Sequence, residues 1–246
     1  MTLPVHLVAS LVDVSPGAVV TVEGDEAHHA VAVRRLRVGE PVVLTDGAGR
    51  SVTGTVGSTG KRVFTVDVAE TAEAPRPAPS LVVVQALPKG DRGELAVEVL
   101  TEVGVDRVVP WAAARSVAVW KGERAAKSLA RWRSTAREAA KQARRAWHPE
   151  VAELASTAEV ARLVAEADLA VVLHEEATTP LAGLDVPASG VVVVVVGPEG
   201  GLTDDEVTAL VDAGAVSVRL GSEVLRTSTA GVAACAALLA RTDRWG

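Results

Sequence analysis

The sequence predicts a two-part chain: a small β-barrel over residues 1–72, a linker over 73–80, and an α/β domain with a parallel sheet over 81–246. Three observations carry this. Short Val- and Thr-rich runs at close spacing fill the start of the chain, the pattern of a small all-β unit. The stretch TAEAPRPAPS (71–80) holds three prolines and almost no large apolar residue, as linkers do. Beyond it, valine runs without polar alternation take turns with helical segments; such strands are buried on both faces, so helices should cover a parallel sheet.

In order, GAVVTV (17–22), EPVVLTD (40–46), SVTGTVG (51–57) and RVFTVDVAE (62–70) are the barrel strands, parted by DGAGR (46–50) and GSTGK (57–61). DEAHHAVAVRRLRVGE (25–40) reads as a short helix ending in a basic knot. In the second part LVVVQAL (81–87) precedes a helix over 92–103, and RVVPW (107–111) precedes a helix over 121–147. LAVVLH (169–174) follows, then VVVVVV (191–196) with a helix over 203–213, and VSVRL (216–220) with one over 227–241.

Apolar residues make up 48% of 246, enough for a core without disulfides or metals. The single cysteine, Cys235, lies in the apolar run AGVAACAALLA and cannot bridge internally, which points to a reducing compartment. The N-terminal stretch has no basic flank before its apolar part, and no apolar run reaches the roughly 18 residues of a membrane helix. A cytoplasmic protein is expected, with no membrane partner.

Net charge is −6, yet residues 121–148 carry nine Lys/Arg against two Glu, leaving the rest of the chain at −13. Such asymmetry marks a local anionic partner. On a helical wheel Ala125, Leu129, Trp132, Ala136, Ala139, Ala143 and Trp147 share one stripe. Lys127, Arg131, Arg133, Arg137, Lys141, Arg144 and Arg145 spread over the other side, with few acids at i,i+4 to pair them. A phosphate backbone fits this face better than a solvated surface. His28 and His29 are adjacent, diverge, and have no evident third ligand, so no metal site is expected.

The loop GPEGGLTDDE (197–206) follows the longest valine run. It matches neither phosphate-binding glycine pattern and its four acids would repel a phosphate. Thr203 suits an N-cap, and Asp204, Asp205 and Glu206 suit the first helical turn. Glu199 has no such explanation. Glycines that admit a backbone-lined ligand, together with acids, suit a flat ligand that is neutral or cationic. RLGSEVLRTSTA (219–230) has the same layout, turning at Gly221 into a helix near Thr227.

These two loops, with QALPKGDRGELAVEVLTEVGV (85–105), EAAKQARR (138–145) and HHAVAVRRLRVGE (28–40), resemble in order the RsmE family of 16S ribosomal RNA uridine N3-methyltransferases, within the SPOUT superfamily. The resemblance implies a PUA-like N-terminal barrel and a SPOUT domain with a C-terminal deep trefoil knot, a rare exception among folds. It implies S-adenosylmethionine as cofactor, 16S rRNA in the 30S subunit as substrate, and a homodimer. Carried over, the cofactor loops are Leu173, His174 and Glu175; Gly197, Pro198, Glu199, Gly200 and Gly201; and Leu220, Gly221, Val224, Leu225, Arg226, Thr227 and Thr229. RNA contacts fall on His29, Arg34, Arg35, Arg37, Lys89, Arg115, Arg137, Gln142, Arg144 and Arg145. Three stretches depart from the family: VHLV (5–8) stands where it has R-x-F, Val33-Arg34-Arg35 stands where it has V-L-R and retains only the arginine at 35, and Ser228 stands where it has glutamate in LR-T-E-T-A.

Methylating a uracil nitrogen requires in-line alignment, loss of the ring proton, and stabilisation of charge on the flanking carbonyl oxygens. Arg226 is the expected cation, and Glu199 the nearest candidate for proton acceptance or loop orientation. Two other readings compete. An RNA-binding module without activity leaves both glycine loops unexplained, and a dehydrogenase would need a better glycine fingerprint than PKGDRG.

Overall fold

The computed structural model describes residues 3–245. The chain divides into two compact units, Met1–Arg76 with Lys141–His148, and Pro77–Ala140 with Pro149–Gly246. The return of 141–148 to the first unit is a feature that no local pattern announces.

The first unit contains β1 (Val5–Leu7), β2 (Val19–Glu23), α1 (Gly24–His28), a π-turn over His29–Val33, β3 (Pro41–Thr45), β4 (Arg50–Thr59) and β5 (Val63–Glu73). The strands form one barrel-like sheet in the order β1-β3-β4-β5-β2, antiparallel except for β1 on β3. Register shifts between Thr53/Gly54 and Val56/Ser58 bend the two long strands, as bulges do. Alternate residues point inward, so Val22, Leu44, Val52, Val56, Phe64 and Val66 make the core.

One ion pair is built into this unit. Lys141 Nζ lies 3.0 Å from Glu26 Oε2, and His6 Nδ1 lies 3.3 Å from Glu26 Oε1. Burial pushes the Glu26 carboxyl up, but hydrogen bonds and charge from His6 and Lys141 outweigh it and hold the pKa at about 2.

The second unit contains β6 (Ser80–Ala86), α2 (Arg92–Val103), β7 (Arg107–Trp111), α3 (Glu123–Gln142), β8 (Glu150–Val151), α4 (Thr157–Ala165), β9 (Leu169–Leu173), β10 (Thr179–Pro180), β11 (Val191–Val196), α5 (Asp204–Asp212), β12 (Val216–Arg219) and α6 (Thr227–Leu239). The last two residues of α3 belong to the first unit. All seven strands are parallel, in the order β10-β12-β9-β11-β6-β7-β8. The valines of β11 sit at the centre, alternating between two cores. Val192, Val194 and Val196 face Leu100, Trp132 and Leu238; Val193 and Val195 face Trp111, Val160 and Leu210. The valine run is thus a strand covered on both faces, as its composition predicts. Among the described residues, no helix is long and apolar enough to cross a membrane.

Three short strands and α4 lie outside the elements read from sequence. The helix has a readable start, since Ser156 and Glu159 form a reciprocal capping box.

The basic helix needs correction. It ends at Gln142 rather than at 147, and Arg144 takes a left-handed φ of 54°. Trp147 is not on its apolar stripe: the indole Nε1–H donates to the carbonyls of Ala74 (3.0 Å) and Pro75 (3.1 Å), and Arg76 stacks on the ring. The stripe itself is real, with Leu129, Trp132, Ala136 and Ala139 buried.

Candidate functional site

The C-terminal ends of β9, β11 and β12 meet at one place in the second unit. The chain leaves each strand there into a loop, and the three loops enclose a cleft of about 610 Å3. Ligands of open parallel sheets sit at this end of the strands. The volume lies within the roughly 300–1,000 Å3 of small-molecule pockets. Every residue predicted for the cofactor lines the cleft except Thr229, whose hydroxyl instead donates to the carbonyl of Arg226.

Strand pairing and side-chain ties hold the loops. The His174 N–H donates to Val218 O (3.0 Å), joining the β9 loop to β12. The Thr227 hydroxyl, at the start of α6, donates to Gly197 O. Fully buried Gln85 donates through Nε2 to Thr227 Oγ1 (3.2 Å), so β6 sets the relation of α6 to the glycine loop. Ser228 is buried in the first turn of α6.

The acids of the glycine loop divide differently from the sequence reading. Thr203 caps α5 as expected, and Glu206 reaches back to it to complete a capping box. Glu206 is also buried, and its Oε1 accepts the Ala114 N–H at 2.7 Å from the loop after β7. Asp204 and Asp205 are exposed first-turn acids. The Glu199 carboxylate accepts the Lys89 N–H at 3.1 Å, from the loop between β6 and α2. A residue without a local role thus has a long-range one.

Arg115 also has an assignment at the cleft. Its Nη1 donates to Leu202 O (3.0 Å) and Gly200 O (3.3 Å), clasping the glycine loop. A Cβ on Gly200 would stand 3.1 Å from Arg115 Cβ, so the two segments approach to backbone contact. Arg92, Glu176, Arg219, Ser222 and Glu223 line the cleft as well and were missed in the sequence. The signal for Arg92 was available: it lies in the motif PKGDRGE, three residues after Lys89.

The predicted RNA contacts fall in both units. In the first, His29 opens the π-turn, and Arg34, Arg35 and Arg37 follow it, all exposed. Arg35 takes a left-handed φ of 58°. Gln142 ends α3, with Arg144 and Arg145 just after it. In the second unit Lys89 is exposed on its loop, and Arg137 is exposed on α3 beside Ser134 and Glu138. Other arginines of α3 are paired by acids from elsewhere: Arg131 with Glu94 (2.9 Å), and Arg133 with Glu153 (2.9 Å). Lys141, read as outward-facing, is buried against Glu26.

A family model described as an RNA methyltransferase domain matches residues 75–239, and one described as an RNA methyltransferase PUA domain matches residues 22–68. The chain is 47% identical over 233 residues to ribosomal RNA small subunit methyltransferase E of Mycobacterium tuberculosis, covering 93% of this chain and 89% of that one. It is 31% identical over 231 residues to the Bacillus subtilis protein of the same name, covering 91% and 90%. A crystal structure of ribosomal RNA small subunit methyltransferase E from Neisseria gonorrhoeae, bound to S-adenosyl methionine, has a TM-score of 0.86 at 26% identity, covering 97% of this chain and 98% of that one. The five motifs, the strand-end cleft and these matches agree, and the chain belongs to the ribosomal RNA small subunit methyltransferase E family.

Proposed function

We propose that this protein is an S-adenosylmethionine-dependent methyltransferase acting on uracil N3 in 16S ribosomal RNA of the 30S subunit. The observation that carries the reading is the convergence of the three strand-end loops on one cleft. When bound, S-adenosylmethionine supplies an electrophilic methyl group on a sulfonium sulfur. The cleft suits it. Glycine backbone at 197, 200, 201 and 221 leaves room for a flat ring, and the cleft carries both acids (Glu175, Glu176, Glu223) for a sulfonium cation and arginines (Arg92, Arg219, Arg226) for anionic groups.

The chain's own residues bind and align. Thr227, Gln85 and Arg115 fix the glycine loop, so the reacting partners meet in one geometry. Arg226 lines the cleft just before α6 and stabilises the negative charge that spreads over the uracil oxygens. Glu199, held on the Lys89 N–H, orients a loop; this role suits it better than proton acceptance. The basic residues around the π-turn and on α3 supply phosphate contacts. Exposed Val224 and Leu225 beside the cleft support a homodimer, in which a partner covers them. The knot and a cytoplasmic location belong to the same reading.

The test is methyl transfer to 30S subunits purified from a strain lacking this activity. The expected product is one added methyl group on a single uridine, located by mass mapping. Label on another base, or none with S-adenosylmethionine bound, contradicts the assignment.

A further inference from the structure

The loop between β6 and α2, residues 87–91, leads into the cleft's least explained charge. Arg92 is the first residue of α2, half-buried, and lines the cleft. Among the described residues its guanidinium has no hydrogen bond and no ion pair. Of the other arginines lining the cleft, Arg115 is tied to loop carbonyls, while Arg219 and Arg226 are exposed, so Arg92 alone of the four is both half-buried and untied among the described residues. A half-buried guanidinium without a partner, facing a cleft, is placed for a ligand.

Its position is fixed from both sides. On one side Glu199 accepts the Lys89 N–H and docks the loop onto the glycine loop. On the other, Gly93 lies flat on Trp132 of α3; a Cβ there would stand 2.7 Å from the indole. Arg131, one residue before that tryptophan, pairs with Glu94 at 2.9 Å and approaches Asp91 at 3.8 Å. So the residues flanking Arg92 are held by the basic helix, and the loop before it is held by the glycine loop. Arg92 therefore stands on the side of the cleft that faces α3.

We propose that Arg92 contacts an anionic oxygen of the target nucleotide, and that Glu199 is the positioning residue that sets it there through Lys89. This rests on the methyltransferase reading. The RNA side is favoured over the cofactor because Arg92 borders the basic helix. A bidentate guanidinium suits either a phosphate or a carbonyl oxygen gaining charge.

The experiment measures S-adenosylmethionine affinity by calorimetry, and kcat and KM on 30S subunits, for wild type, Arg92→Ala, Arg92→Lys, Glu199→Ala and the double Ala variant. Expected is a fall of about tenfold or more in kcat/KM for Arg92→Ala, partly restored in Arg92→Lys, with cofactor affinity within about twofold. Glu199→Ala should lose activity alone but add little to Arg92→Ala, because the two act on one contact. Unchanged thermal midpoints exclude misfolding as the cause. Three results overturn the inference: normal kcat/KM in Arg92→Ala, a selective loss of cofactor affinity, or fully additive losses. A wild type that neither binds S-adenosylmethionine nor methylates RNA would instead overturn the functional reading beneath it.

Discussion

The glycine loop and the basic helix are both marked in the sequence by charge, and the fold uses the charge of each in opposite ways. Acids in the loop bond mostly to backbone. Glu199 takes the Lys89 N–H and Glu206 takes that of Ala114, so two carboxylates tie three loops together. Arginines on the helix bond mostly to acids: Arg131 to Glu94 and Arg133 to Glu153. The first arrangement shapes a cavity and is expected to be sensitive to substitution. The second neutralises an exposed face and leaves Arg124 and Lys127 as helix cations without an ion pair among the described residues. Charge count alone therefore overstates how much of α3 is open to phosphate, and understates how much of the loop is architecture.

Variants at the two regions sharpen this contrast. Arg226→Ala should have the largest effect, reducing turnover by about a hundredfold, roughly 3 kcal/mol of transition-state stabilisation, as for loss of a charged oxyanion donor. Single-turnover rates at saturating substrate read it directly; an intact rate removes Arg226 from the chemistry.

Next comes the buried tie. Glu206→Ala leaves the Ala114 and Thr203 N–H groups without their carboxylate acceptor, at a cost of about 2–3 kcal/mol. Asp204→Ala and Asp205→Ala, on the same turn but exposed, should cost about 0.5 kcal/mol or less. Urea denaturation separates them, and equal losses would erase the distinction between tie and cap.

On the helix, Arg131→Gln and Arg133→Gln should change stability by under about 1 kcal/mol, as exposed pairs do. Replacing Arg124 and Lys127 with Gln should instead flatten the salt dependence of 30S binding, by nearly one unit of log–log slope per lost phosphate contact. A larger flattening from the paired arginines would reverse the assignment of the RNA face.

The remaining effect is confined to acid and vanishes at neutral pH as a slope. The Glu26 carboxyl is held at about 2 against an ordinary 4.5, so its contribution is full above pH 4.5 and fades as pH falls toward 2. Glu26→Gln should therefore flatten the stability profile over that window and leave its slope near neutrality unchanged. A profile unaltered below pH 4.5 would show that the Lys141 and His6 contacts do not form in solution.

Much of the fold was legible because periodicity is local. The valines of β11, the helix over 92–103 and the barrel strands each declare themselves within a dozen residues or fewer. The cleft-lining loops were legible through the resemblance of GPEGGLTDDE and LGSEVLRTSTA. What escaped was long-range. Strand β1 has three residues and β8 two, too short to show a period. Helix α3 stops at Gln142 although its wheel continues, because Trp147 is held by the carbonyls of Ala74 and Pro75, far off in sequence. Arg92 and Glu199 stand more than a hundred residues apart, and only the folded chain shows that they serve one loop. Capping of α5 by Thr203 was readable; the bond of Glu206 to Ala114 was not.

The central claim is that the three strand-end loops form a site for S-adenosylmethionine. Calorimetric titration of the purified protein with that compound tests it most directly, beside Gly200→Val, whose side chain would press on Arg115 and shift the glycine loop. Saturable one-site binding by the wild type, with marked weakening in the variant and an unaltered thermal midpoint, is the predicted result. Absence of binding by the wild type, or equal affinity in the two proteins, would contradict it.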